Sequence, residues 1–373
     1  MPNHEIATPA PYVSPGMPPL RLGRTLSFFE FWPTWLMYLP VVAQWLVLAI
    51  RYRSLTLPLI ANPRLPLSGM VGVPKSTLLE QAQGELDERI LPWFIATKTD
   101  APVVDQSTAI ETVLNQLELV YPIVCKPDIG CRGAGVKLVK DRSELERVFA
   151  SYPTGASMMV QKLADFEPEA GLFFIRMPGQ TEGRIISLAL KYMPYVIGDG
   201  QHTLAELIAD DVRAGPLSHL YQSRHRDAWH RVVPKDSPVR LVFSASHSKG
   251  AIFKDAAELI SPVLTQKITE LMRELPDFHY GRLDIKFRDS ASLQRGEDLQ
   301  IIEINTASSE PLHIWDSNTS FFYAVRSLLF QYRTLFVMGA ANRRLGHQTP
   351  PLGDLYRHWR LEQALTKHYP ETD

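Results

Sequence analysis

The stretch Gly281-Arg282-Leu283-Asp284-Ile285-Lys286, read with Gln300-Ile301-Ile302-Glu303-Ile304-Asn305, decides the fold. Both segments alternate, and a period of two places every second side chain on one face of a strand. Arg282, Asp284 and Lys286 share one face, and Leu283 and Ile285 the other. Glu303 and Asn305 share a face, while Ile302 and Ile304 point away. If the two strands pair, Asp284, Glu303 and Asn305 meet as hard oxygen donors with Arg282 beside them. Mg²⁺ accepts such a set while it also holds phosphate oxygens. The plain alternative is two edge strands with solvated polar faces, and a second phosphate signal upstream weighs against it.

That signal is Tyr121-Pro-Ile-Val-Cys-Lys126-Pro-Asp-Ile-Gly130-Cys-Arg-Gly133-Ala-Gly135-Val-Lys-Leu-Val139. A short apolar strand ends at Lys126, a loop with three glycines follows, and Val136 to Val139 reads as the return strand. Glycines let backbone amides approach phosphate oxygens and form an anion-binding concavity. The loop lacks the Gly-Lys-Ser/Thr of a Walker A motif, and no helix follows it as a Rossmann turn requires. Alone it is also an ordinary hairpin turn; together with the oxygen cluster it points to a nucleotide.

These residues resemble the ATP-grasp superfamily, and within it the D-alanine–D-alanine ligases, over about residues 70–320. The resemblance implies an α+β fold whose two subdomains clasp ATP. Lys75 falls where a lysine opens the grasp region. Lys126 matches the lysine before the mobile loop of Gly130, Gly133 and Gly135. Gln161, Lys162 and Leu163 look like the linker that carries adenine. Glu169 is the expected ribose ligand, with Glu167 as rival, and Lys191 a further phosphate-facing lysine. The resemblance assigns Asp284, Glu303 and Asn305 to two Mg²⁺ ions and Arg282 to the oxyanion, with Lys126 and Lys191 neutralising phosphate. A secondary likeness, to cyanophycin synthetase-like grasp domains, rests on Gly198-Asp-Gly-Gln-His-Thr-Leu-Ala-Glu-Leu-Ile208 and Ser246-His-Ser-Lys-Gly250.

The sequence departs from the D-alanine ligases after Asn305, where Thr306-Ala-Ser-Ser-Glu-Pro311 replaces Thr-Ser-Pro-Gly. Ser309 aligns with the glycine whose amide holds the acyl intermediate. His313-Ile-Trp315 replaces the acceptor-binding segment, so Ser309, His313 and Trp315 are the expected substrate residues, and D-alanine is a poor candidate substrate. The implied reaction activates a small-molecule or lipid-linked carboxylate as an acylphosphate and couples it to an amine, releasing ADP and phosphate. A non-catalytic ATP sensor or scaffold, and a ligase with a thiol acceptor, remain open alternatives.

Composition agrees with a globular enzyme. The 373 residues are 45% hydrophobic and 21% charged, enough for two or three cores. The net charge of −1 carries no nucleic-acid footprint. The two cysteines, Cys125 and Cys131, are no disulfide framework, which suits the cytoplasm. Residues 1–75 are basic, with six Lys/Arg against two acids.

The expected organisation is a flexible Pro-rich arm (1–25) without a leader pattern, a hydrophobic aromatic segment (26–70) on a reduced N-terminal domain, a first grasp half (71–190), a second (191–338), and a tail with a short helix (339–373). The segment from Phe28 to Ile50 contains three Trp and is flanked by Arg21, Arg24, Arg51 and Arg53. Pro33 and Pro40 break its pattern. It reads as an element lying in the membrane interface through residues 26–50, at the inner face of the membrane, with a buried packing element or a true span as alternatives. A homodimer is left open. Helices are expected at Leu78 to Leu91, Ser107 to Leu119, Arg142 to Phe149, Leu204 to Ala209, after the cap Ser261, at Phe321 to Met338 (read as buried) and at 353–368.

Overall fold

The computed structural model describes residues 11–20, 34–130 and 134–373. The expectations for residues 1–10, for Phe28 to Pro33, for Cys131 and for Gly133 lie outside the described residues.

The first part of the chain forms α1 (Thr34–Tyr52), α2 (Lys75–Leu79), α3 (Gly84–Arg89), β1 (Trp93–Thr97), α4 (Val103–Gln116), β2 (Ile123–Pro127), β3 (Lys137–Val139), α5 (Arg142–Ala150) and β4 (Ser157–Lys162). Then come β5 (Glu169–Arg176), β6 (Gly183–Tyr192), β7 (Tyr195–Ile197), α6 (Leu204–Asp210), α7 (Ser218–Arg224), β8 (Pro238–Arg240) and β9 (Ile252–Asp255). The last part holds α8 (Pro262–Arg273), β10 (Tyr280–Phe287), α9 (Ser290–Arg295), β11 (Leu299–Asn305), α10 (Phe321–Arg344) and α11 (Leu352–Thr366).

The fold is α+β, and every pairing within its sheets is antiparallel. A four-stranded sheet runs β1-β4-β2-β3, and a five-stranded sheet runs β11-β10-β5-β6-β9. Ile110, Leu114, Leu145 and Phe149 of α4 and α5 share a core with Ile123, Met158 and Val160 of the smaller sheet. Leu264, Ile268, Leu271 and Met272 of α8 share another with Leu172, Leu188, Leu283 and Ile285 of the larger one. A small third core gathers α6, α7 and the β7–β8 ribbon around Tyr221 and Ile208. The Ser261 hydroxyl accepts the Leu264 amide as an N-cap with Pro262 in the first turn, and Thr203 and Glu206 close a capping box on α6.

Four expectations change. The division between the sheets falls between Lys162 and Glu169 rather than at 190, because β5 pairs with β10, and β6 with β5, in the larger sheet. The single helix from Leu78 to Leu91 is two, parted before Gly84, which has φ +52°. Residues 11–20 of the arm are docked: Met17 and Leu20 enter the large core and the Tyr192 hydroxyl donates to the Pro18 carbonyl at 3.1 Å. Pro40 lies within α1, which runs on to Tyr52.

Candidate active site

The β10–β11 register sets Asp284 opposite Glu303 and Arg282 opposite Asn305, with a bulge after Asp284. On the other side, β5 sets Gly171 opposite Asp284 and Glu169 opposite Lys286, and β6 sets Lys191 opposite Glu169. One sheet face therefore carries the oxygen cluster and three cations.

Their geometry is a closed ion-pair network. Arg282 grips Asp284 with two bonds, Nε to Oδ1 at 2.8 Å and Nη2 to Oδ2 at 3.1 Å. Lys191 Nζ lies 3.2 Å from Asp284 Oδ1 and 2.8 Å from Glu169 Oε1, and Lys286 Nζ lies 2.9 Å from Glu169 Oε2. Asn305 Nδ2 donates to Asp284 Oδ2 at 3.1 Å. Burial alone would raise the Asp284 carboxyl, but Arg282 and Lys191 hold it below its ordinary range. Glu169 is equally desolvated, and Lys191 with Lys286 brings it down to about 2. Burial opposes the charge on Lys191, and Asp284 and Glu169 outweigh it, so its pKa is raised.

Lys126 ties the two sheets together. Its ammonium donates to Gln161 Oε1 on β4 and to the Ile302 carbonyl on β11, both at 2.8 Å. Burial lowers it to about 8, with Glu303 the chief opposing charge. Lys75 donates to the Gly130 carbonyl at 2.7 Å and stands 3.9 Å from Glu303.

Two concavities meet at this network. A crevice between the sheets has Leu91, Val124, Leu163, Phe166 and Phe243 among its walls, with Lys126, Gln161, Lys162, Glu167 and Glu169. A second cavity, of about 510 Å³, is lined by Lys75, Arg282, Asn305, Ser309, Glu310 and Tyr38 among others. Glu303 borders both.

The structure thus gathers Lys75, Lys126, Gln161, Glu169, Lys191, Arg282, Asp284, Glu303 and Asn305 around one junction. Others sit differently from expectation. Both Glu169 oxygens are taken by lysines, so the crevice carboxylate with an open face is Glu167, 58% exposed and held by Arg240 at 3.0 Å. Lys191 is enclosed between two carboxylates and does not face open space. Lys162 pairs with Asp165 at the rim. The Gly135 amide donates to Thr372 Oγ1 at 2.9 Å, an engagement no local pattern foretold. The Ser309 amide is spent on the Thr306 carbonyl at 2.9 Å. His313 is buried away from the cavity, its ring nitrogens bonded to Ser187 at 2.7 Å and Ser327 at 3.1 Å. Trp315 lies behind the wall and donates to Glu310 Oε2 at 3.2 Å.

Sequence reasoning missed Glu310 and Gly171. Glu310 sits in a loop without period. Gly171 leaves room for Arg282, since a Cβ there would meet Arg282 Cδ at 3.2 Å and Leu312 Cδ1 at 2.6 Å. Asp284, Glu303 and Asn305 fit Mg²⁺ in kind, as oxygen donors on neighbouring strands, although Asp284 is now held by Arg282 and Lys191.

No family model matches the chain. The chain is 25% identical over 216 residues to cyanophycin synthetase of Trichormus variabilis, and likewise to that of Nostoc sp.. The match takes in 52% of this chain and 23% of the length of these relatives. It bears out the likeness to cyanophycin synthetases read from the sequence. Similar solved structures include a bifunctional glutathione synthetase from Pasteurella multocida (14% identity, 69% of this chain and 35% of that one, TM-score 0.35). Two more are the D-cycloserine synthetase DcsG (12%, 70% of each chain, 0.37) and D-alanine–D-alanine ligase from Bacillus anthracis (12%, 74% of each chain, 0.36).

Proposed function

We propose that this chain is an ATP-dependent ligase that activates a carboxylate as an acylphosphate and joins it to an amine, releasing ADP and phosphate. One observation carries the reading: Glu303 stands at the junction of an apolar crevice and a polar cavity, with Arg282, Lys75 and Lys126 around it. The crevice suits adenine, with Gln161, Lys162 and Leu163 along its edge and Glu167 rather than Glu169 toward the ribose. The cavity suits the acid and its acceptor. Mg²⁺ held by Asp284, Glu303 and Asn305 would spread charge over the β- and γ-phosphates. Lys126 and Lys75 then neutralise phosphate oxygens, and Arg282 faces the oxyanion that develops on the acyl carbon, where a preorganised donor is worth about 2.7–4 kcal/mol.

Phosphorus NMR of ATP and Mg²⁺ with the intact chain, pooled carboxylates and hydroxylamine tests this. ADP and phosphate should appear only with a carboxylate and vanish in Glu303→Gln, which should keep the wild-type melting temperature. A second reading, a nucleotide sensor or scaffold, is favoured by the cations closed over Asp284; ATP bound but unspent in every pool would select it.

We also infer that α1 rests on a membrane surface, which makes a lipid-linked acid or amine a natural substrate class. Met37, Val41 and Ala49 pack inward, while Trp35, Leu39, Val42, Leu46 and Ile50 are exposed along the other side, Ile50 at 80%. Phe322, Tyr323 and Phe330 of α10 are exposed too, and Arg51, Arg53, Arg326 and Arg333 add exposed positive charge. An apolar face bordered by arginines suits the headgroup region of an anionic bilayer.

A further inference from the structure

We propose that Glu310 is the group that receives the proton of the attacking amine, so that the acceptor enters the cavity as an ammonium ion seated on this carboxylate. The inference rests on the ligase reading above and deepens it. Glu310 lines the cavity that also holds Arg282, Asn305 and Glu303. Its carboxylate accepts a hydrogen bond from the Tyr38 hydroxyl of α1 and another from Trp315 Nε1 at 3.2 Å. Its backbone carbonyl accepts Arg282 Nη1 at 3.0 Å, which fixes the loop beside the residue that faces the acyl group.

Among the described residues no lysine, arginine or histidine forms an ion pair with this carboxylate. The other carboxylates of the site behave differently: Asp284 and Glu169 each have at least two cations, and Glu303 stands near Lys75. A largely desolvated carboxylate held only by neutral donors is costly, and a cation entering the cavity relieves that cost. Burial lifts Glu310 to about 7 against the opposing Trp315 bond, a value suited to taking and releasing a proton near neutrality. The other titratable or charged groups around the cavity are Arg282, Glu303, Lys75, Glu362, Tyr38 and Tyr332.

The step balances as follows. The acceptor ammonium gives one proton to the Glu310 carboxylate. The freed nitrogen pair attacks the acyl carbon, a C–N bond forms, and the C–O bond to phosphate breaks. The second proton leaves with the phosphate as hydrogen phosphate, and one N–H remains on the amide.

The test compares two acceptors on Glu310→Gln, with the carboxylate pool that supports wild-type ADP release. Hydroxylamine is largely neutral at pH 7 and needs no base; methylamine, ethanolamine and L-lysine are ammonium ions there. The variant should lose far less hydroxamate formation than amide formation. It should lose amide formation by roughly 100-fold or more, the usual size of a general-base effect, and recover as pH rises toward the pKa of the amine. Tyr38→Phe, which removes one donor to the carboxylate, should move the acidic limb of amide formation upward without a matching shift in the pH profile of hydroxamate formation. Equal loss of both products in a folded Glu310→Gln, or no loss of either, overturns the assignment. Wild type forming neither product overturns the ligase reading, and Glu310 falls with it.

Discussion

Gly171 and Glu169 lie on the same strand face, and each carries part of the site by a different means. Gly171 contributes space, and Glu169 contributes charge that no ligand needs to touch. With Lys191 and Lys286 on either side, Glu169 has a folded pKa near 2 against an ordinary 4.5. A depressed carboxylate stabilises the fold fully above its unfolded pKa and loses that contribution as pH falls through the folded one. The contribution is on the order of 3 kcal/mol at neutral pH and drains away between about pH 4.5 and pH 2. Glu169→Gln strands two buried lysines and should cost about 3–5 kcal/mol at pH 7, with the difference from wild type shrinking toward pH 2. Urea midpoints across that range are the measurement; a loss that does not change with pH would remove the ion pairs as its cause. Asp284, Glu303 and Asn305 were legible because alternation fixes which side chains share a face. Glu310 was not, because its loop has no period and its partner Tyr38 comes from α1, far away in the chain.

At the scale of elements, periodicity located α4, α5, α6, α8 and α11 to within a few residues, since each has one apolar face and most have a local start signal. It failed where another element sets the boundary. Glu274, just beyond α8, accepts the Leu86 amide at 2.7 Å, and its carbonyl accepts the Gln83 amide at 3.1 Å. These bonds start α3 afresh and part it from α2. The helix α10 is neither wholly buried nor wholly exposed: Leu328, Leu335, Phe336 and Met338 face inward, while Phe322 and Phe330 face out. Its Gly339 permits close approach, as a Cβ there would fall 2.1 Å from the Leu57 carbonyl oxygen. Ala favours a helix over Gly by about 1 kcal/mol. Gly339→Ala should nonetheless destabilise the chain by about 1–3 kcal/mol, because backbone on the facing turn must move. A higher denaturation midpoint in that variant would show that the contact yields freely.

The whole molecule joins its parts through residues distant in sequence. Asp373 bonds to Val136, Lys137 and Leu138 beside the glycine loop, while the Thr372 carbonyl accepts Arg224 of the third core at 2.8 Å. In the same way α1 contributes both Tyr38 to the cavity and its outer face to the surface. The intact chain should therefore sediment with vesicles containing about a third anionic lipid and be released as salt screens the arginines. Leu46→Glu with Ile50→Glu should abolish this while hydroxamate formation in solution persists. Equal sedimentation of wild type and double variant would withdraw the membrane face.

By itself the sequence determined the local alphabet of this protein. Alternation marked the site strands, glycines the loop, caps and apolar stripes the helices, and the ATP-grasp resemblance joined them into one expectation. Tertiary structure alone decided which charges meet. It closed Arg282 and Lys191 over Asp284, gave both Glu169 oxygens to lysines, turned His313 into a packed core residue, and set Glu310 in the cavity without a counter-ion among the described residues. The physical reason is that a period fixes the face on which a side chain lies, whereas its partners, desolvation and charge state depend on strands and helices brought together from across the chain.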